Sequence, residues 1–159
     1  MIIFKRLFSK EYQIITTADP IQLTAEKETL FITLCAKALD YRAKNSILGD
    51  GTANAIVEKT GIDLKKYAGP GDRVTVVRAR QFDEWTRDFL AKNKNAVVIH
   101  LGCGLDARIT RVLQPPSSVI WFDVDYPEVI SLRKEFYPET NEYKMIASSI
   151  TAPNWLKAI

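Results

Sequence analysis

The chain has 159 residues, enough for one domain with a hydrophobic core of its own. It is 47% hydrophobic and 26% charged, an ordinary globular composition that argues against disorder. A net charge of +3, with no Lys/Arg block and no interleaving of basic and aromatic residues, removes nucleic acid from the expected partners.

Residues 1–22 carry no clear period, and IIFKRLF and YQIITT read as short strands or an arm. MIIFKRLF is too short an apolar run for a signal peptide, and no stretch approaches about 18 apolar residues. The expectation is a cytoplasmic protein with no membrane partner. Thr24 is a plausible N-cap for a helix over 24–44, with Glu26 and Glu28 in its first turn. Leu30, Leu34, Ala38 and Tyr41 recur on one face, widened by Phe31 and Cys35. NSILGDG is a turn. TANAIVEKTG is a short helix stopped at Gly61, and KKYAGPGDR is a loop around Gly69, Pro70 and Gly71. A third helix is expected over 74–93, with Phe82, Trp85 and Phe89 on one face and Arg78, Arg80, Arg87 and Asp88 supplying charge.

The pattern then changes. AVVIHL and VIWFDVD are short continuous apolar runs, the signature of buried parallel strands, and YKMIAS is a third candidate. LDARITRVLQ is a helix ended by Pro115 and Pro116. PEVISLRKEF is a helix with Pro127 at its first position, and PNWLKAI begins another. Strand–helix alternation from residue 96 predicts an α/β fold with a parallel sheet and crossover helices. The chain thus divides into an N-terminal helical cap or lid region, 1–95, and a sheet region, 96–159.

The stretch GCGLDAR ends the first strand of this region. In a parallel sheet, ligands bind beyond the carboxyl ends of the strands. Gly102 can take a tight turn, Gly104 leaves room for a ligand over the backbone, and the following helix offers free N–H groups. The second strand ends in Asp123 and Asp125. Asp123 lies 21 residues after Gly102, where a carboxylate can accept from both ribose hydroxyls of a nucleoside. Gly102, Gly104 and Ala107 also satisfy the dinucleotide pattern GxGxxG/A, so an NAD-binding oxidoreductase is one alternative. Against it stand the long helical region before the first strand and Asp106, which would repel a pyrophosphate. Arg78 and Arg80 are placed to meet a carboxylate. S-adenosyl-L-methionine, with an adenosine, a carboxylate and no phosphate, fits these charges better.

Five blocks in order, KETLFITLCAKALDYRAKNSILGD, VRARQFDEW, VVIHLGCGLDAR, WFDVDYPEVISLRKEF and MIASSITAPNWL, resemble the leucine carboxyl methyltransferase family, whose members include bacterial O-methyltransferases of the tetracenomycin polyketide type. The resemblance covers about residues 26–158. It implies a Rossmann-like class I methyltransferase fold, S-adenosyl-L-methionine as donor, and methyl transfer to oxygen, often that of a carboxylate on a small molecule or peptide. Carried over by position, Arg78 matches the arginine that pairs with the methionine carboxylate, Gly102 the cofactor-loop glycine with Cys103 and Gly104 beside it, and Asp125 the ribose acid, with Asp123 competing. Ser149 and Ile150 match the segment flanking the adenine, although many relatives have an aspartate where Ser149 stands. Lys37 falls near a basic position of the family's first helix. The family's sheet is larger than the roughly three strands here. A fragment, a truncated product or a fold completed by a second chain is therefore expected. An exposed sheet edge would favour a homo-oligomer. A non-catalytic remnant that binds the cofactor or a partner chain is the other alternative.

The remaining residues carry plainer readings. His100, on the same strand face as Gly102, is structural or shapes the cofactor site. Arg80 and Arg108 are solvated or salt-bridged, and Asp83 and Glu84 form a solvated helix face. Trp85, Trp121 and Trp155 belong to a core or interface. Cys35 and Cys103 fit no CxxC or zinc spacing and are reduced thiols, so no metal is expected. No catalytic base is identified. An SN2 transfer to a carboxylate requires none, because the acceptor arrives ionised.

Overall fold

The computed structural model describes residues 29–113 and 118–159. The N-terminal strands or arm, Thr24, Glu26, Glu28, Pro115 and Pro116 lie outside the described residues. Helix α1 (Thr29–Arg42) buries Leu30, Phe31, Leu34, Cys35 and Ala38, the face that the sequence predicts. Tyr41 departs from it and is exposed, its ring lying over Gly51. The turn after α1 is organised by Asp40, whose carboxylate accepts from the backbone N–H groups of Ile47 and Leu48. Asp50 then caps α2 (Gly51–Thr60), accepting from Ala53 N–H at 2.9 Å, and Gly61 ends it at φ +67°. One turn, α3 (Leu64–Tyr67), interrupts the expected loop before α4 (Asp72–Lys92).

Strand β1 (Val97–Leu101), helix α5 (Arg108–Val112), strand β2 (Ile120–Asp125), helix α6 (Pro127–Lys134) and strand β3 (Tyr143–Ala147) follow in the predicted alternation. The strands are parallel in the order β1-β2-β3, with His100 opposite Asp123 and Asp125 opposite Ala147. Two helices are shorter than the sequence suggests. Residues 102–107 are a loop held by tertiary hydrogen bonds, so α5 starts only at Arg108. The last segment forms a 3-10 turn over Trp155–Ala158. No helix among the described residues is long and apolar enough to cross a membrane.

One buried cluster unites both regions: Leu30, Leu34 and Ala38 of α1 and Ile56 of α2 pack with Cys103, Leu105, Trp121, Ile130 and Met145. The helices before residue 96 therefore share the core of the sheet region. Trp121 is fully buried, whereas Trp85 is 58% exposed and Trp155 half-buried, its Nε1 donating to the Ile150 carbonyl. Phe82, Trp85 and Phe89 do share a face of α4, but that face is open. With Val97 and Ile99 they line a shallow apolar groove of about 330 Å3.

The face of α4 that is buried contains Val76, Ala79, Asp83 and Leu90. Asp83 is 1% exposed, which corrects the expectation of a solvated Asp83–Glu84 pair. Only Glu84 faces outward, bonded to Arg80 at 2.9 Å. Asp83 accepts from Arg111 Nε at 2.6 Å and Arg108 Nε at 3.1 Å, fastening α5 to α4. Removing one partner of a buried pair strands the other charges, at a cost of about 3–5 kcal/mol. Asp83→Ala is expected to lose that much in a urea titration. A loss below about 1 kcal/mol, the worth of an exposed pair, would contradict this placement.

Candidate cofactor site

The loop from Gly102 to Asp106 leaves β1 through two left-handed residues, Gly102 at φ +61° and Gly104 at φ +51°. A side chain at either position would be strained, which explains the spacing of the two glycines. A Cβ on Gly102 would meet nothing within 4 Å, so its outer side is open. Gly102 N–H donates to the Val124 carbonyl at 2.9 Å. Gly104 N–H donates to Asp125 Oδ2 at 2.8 Å. Asp106 N–H donates to the Cys103 carbonyl and is not free for a ligand. Ala107, fully buried, fills the third small position of the pattern.

Beside this loop lies a cavity of about 530 Å3 between α1, α4 and β1, within the range of small-molecule sites. Its wall brings together Arg78, Lys37, His100, Gly102, Cys103 and Gly104 among the sequence-predicted residues. Arg78 is exposed into it and makes no ion pair or side-chain hydrogen bond with the described residues. Asp125, Ser149 and Ile150 lie outside this wall, at the carboxyl ends of β2 and β3. Ser148 N–H donates to the Asp125 carbonyl at 2.8 Å, which joins these two ends. The Ser149 hydroxyl bonds Thr151 Oγ1 at 2.8 Å, and Ile150 is exposed.

Asp125 and Asp123 have different surroundings. Asp125 is half-buried; Oδ2 accepts from Gly104 and Oδ1 from Tyr126 N–H, leaving one lone pair on each oxygen. Asp123 is 0% exposed. Its Oδ1 accepts from Trp121 Nε1 at 2.9 Å and His100 Nδ1 at 3.0 Å, and its Oδ2 accepts from Tyr143 at 2.6 Å and forms an ion pair with Arg133 Nη2 at 2.5 Å. Four polar groups thus surround the buried Asp123, whereas Asp125 keeps free lone pairs. Burial alone would raise its pKa, but His100, Arg133 and Tyr143 hold it below the ordinary aspartate value.

His100 is engaged on both nitrogens. Arg108 Nη1 lies 3.3 Å from Nε2, and an arginine can only donate, so Nδ1 carries the proton given to Asp123. Arg108 also reaches Asp83 and, at 3.3 Å, Asp106. Asp106 accepts from Lys37 at 3.0 Å and Arg111 at 2.9 Å, and Arg111 pairs with Asp50 at 2.5 Å. Burial works against the Asp106 charge, yet Lys37, Arg111 and Arg108 keep its pKa well below the usual range. Lys37 is 4% exposed, and burial pushes its ammonium below the ordinary lysine value against the pull of Asp106. Burial pushes the Cys103 thiol, 2% exposed, well above its ordinary value, and raises that of Cys35 to about 11. Both are inert at neutral pH. Among the described residues no cluster of three or more His, Cys, Asp or Glu is placed to hold a metal.

Sequence reasoning missed Asp83, Arg111, Arg133, Tyr137 and Tyr143. For Asp83 a signal existed: it falls at helical spacing with Val76, Ala79 and Leu90, and a charge in an apolar register marks a buried pair. The more conspicuous aromatic stripe masked it. Arg133 offered no such signal, because a basic residue in the last turn of a helix reads as a favourable surface charge.

A three-stranded parallel sheet with crossover helices and a loop of two left-handed glycines after its first strand make a Rossmann-like α/β fold. The chain belongs to the leucine carboxyl methyltransferase family, whose model matches residues 30–142. It is 43% identical over 143 residues to the tetracenomycin polyketide synthesis O-methyltransferase of Streptomyces glaucescens, covering 89% of this chain and 53% of that protein. It is 31% identical over 152 residues to an S-adenosyl-L-methionine-dependent methyltransferase of Gibberella zeae, covering 86% and 51%. The chain thus spans about half the length of these curated relatives.

The depressed pKa values of Asp106 and Asp123 predict an acid-labile fold. Their contribution is complete above the ordinary aspartate value, about pH 4, and is lost as pH falls through it toward their lower folded values. Unfolding free energies measured from pH 6 to 3 are expected to drop below about pH 4, and Asp106→Asn to flatten that drop. An Asp106→Asn slope equal to the wild-type slope would contradict the assignment.

Proposed function

We propose that this chain carries the S-adenosyl-L-methionine site of an O-methyltransferase, and that the acceptor is a carboxylate on a small molecule or peptide. The observation that carries the reading is the cavity in which Arg78, a cation with no partner among the described residues, faces the loop of Gly102 and Gly104. The family's donor has a carboxylate at one end and a ribose beyond it, and this chain offers a group for each. The planar fork of Arg78 suits a carboxylate. Asp125 keeps two lone pairs for ribose hydroxyls. Gly102 leaves its outer side clear. Ser149 and Ile150 stand beyond Asp125, where an adenine would follow. When bound, the cofactor supplies an electrophilic methyl group on sulfur.

The rest of the reading concerns the acceptor. Both nitrogens of His100 are committed, and Asp106 is held ionised between cations. Neither is poised to remove a proton. A carboxylate acceptor needs no such step and asks only for proximity and alignment. Membership of a methyltransferase family sets the nicotinamide reading aside. Asp106 itself would repel a pyrophosphate only weakly, since Lys37, Arg108 and Arg111 balance its charge.

Calorimetric titration with S-adenosylhomocysteine, with NAD as control, is expected to give micromolar binding for the first alone. Arg78→Ala and Asp125→Ala should each weaken it by about 1.5–3 kcal/mol, the worth of a hydrogen bond to a charged group. Binding of NAD in preference, or unchanged affinity in both variants, would overturn the reading.

A further inference from the structure

Arg133 is 0% exposed and is absent from the cavity wall, yet it holds the loop on which that site depends. Its Nη1 donates to the Gly104 carbonyl at 2.9 Å and its Nη2 to the Asp106 carbonyl at 2.9 Å. Nη2 also lies 2.5 Å from Asp123 Oδ2, and Nε donates to the Tyr143 hydroxyl at 3.0 Å. The Tyr137 ring lies 4.1 Å from the guanidinium, and its hydroxyl donates to the Leu105 carbonyl at 3.0 Å. The carbonyls of Gly104, Leu105 and Asp106 are therefore all drawn toward α6 and the residues just after it.

A salt bridge to Asp123 would occupy only one edge of the fork. Here Nη1 and Nη2 also donate to two main-chain oxygens, which a lysine could not reach together. The effect centres on Gly104, a residue at φ +51° with no side chain to fix it. Its carbonyl is held by Arg133 and its N–H by Asp125 Oδ2, so one residue links the arginine to the proposed ribose acid. Through Asp123 the same guanidinium also fixes the ring of His100 on the cavity wall. We infer that Arg133 is a positioning residue, which presets the glycine loop and the orientation of Asp125 without touching the ligand. The ligand in this inference rests on the S-adenosyl-L-methionine reading; the clamp itself does not.

Arg133→Lys separates the two roles, because it keeps a cation for Asp123 and gives up the carbonyl contacts. In the ligand-free protein, the amides of Gly104 to Ala107 are expected to exchange with deuterium at least about tenfold faster, with β2 unchanged. Affinity for S-adenosylhomocysteine should fall about tenfold, or ~1.4 kcal/mol. Ile130→Val, a core change on the same helix, should move neither readout, which distinguishes positioning from general stabilisation. If Arg133→Lys fails to fold, Asp123→Asn with Arg133→Met removes both buried charges together, and the same amides should still exchange faster. Native loop exchange in a folded variant of either kind would overturn the inference. Failure of the wild-type protein to bind S-adenosylhomocysteine would sink the functional reading, while the exchange measurement would still decide the clamp.

Discussion

The fold depends on a chain of buried charges that runs from α6 through the sheet to the N-terminal helices. Arg133 pairs with Asp123, Asp123 with His100, and His100 with Arg108. Arg108 meets Asp83 and Asp106, and Arg111 closes the sequence by binding Asp83, Asp106 and Asp50. Lys37 joins from α1. Charges removed from water are tolerated only when paired and fully hydrogen-bonded. Among the described residues no buried side-chain nitrogen or oxygen lacks a partner. The chain therefore works as a register device: each element is held in one position, because a shift would strand a charge.

This constraint also explains which groups are left for a ligand. Lys37, Arg108, Arg111 and Arg133 are engaged with the carboxylates of Asp50, Asp83, Asp106 and Asp123. Arg78 and Asp125 stand outside that balance. Arg78 has no partner among the described residues, and Asp125 is occupied on only half of its lone pairs. The proposed site would draw on groups outside a neutralised cluster, an electrostatically preorganised arrangement. Its surroundings are fixed before a ligand arrives, so less ordering has to accompany binding.

The sheet was legible because buried parallel strands read as unbroken apolar runs, and the loop because glycines one residue apart mark left-handed turns. Arg78 and the glycines could be assigned from the family resemblance and do meet at one cavity. The two acids of β2 could not be separated in the sequence. Asp123 and Asp125 share a strand face, and their difference lies in Trp121 of the same strand and in His100, Tyr143 and Arg133, contributed by β1, β3 and α6. The apolar stripe of Phe82, Trp85 and Phe89 misled in the opposite way, since helical spacing marks a face without saying what covers it. The true inward face of α4 contains an aspartate whose partners lie on α5, and only the tertiary structure shows them.

The proposed function requires a preformed cofactor site at the carboxyl ends of the strands. The most direct test is a map of backbone amide shifts in the labelled protein on addition of S-adenosylhomocysteine. Saturable shifts are expected, centred on Gly102, Gly104, Asp125 and the 148–150 segment, with the buried Trp121–Asp123 region unmoved. A folded sample whose shifts stay constant, or cluster on the open face of Trp85 and Phe89, would contradict it.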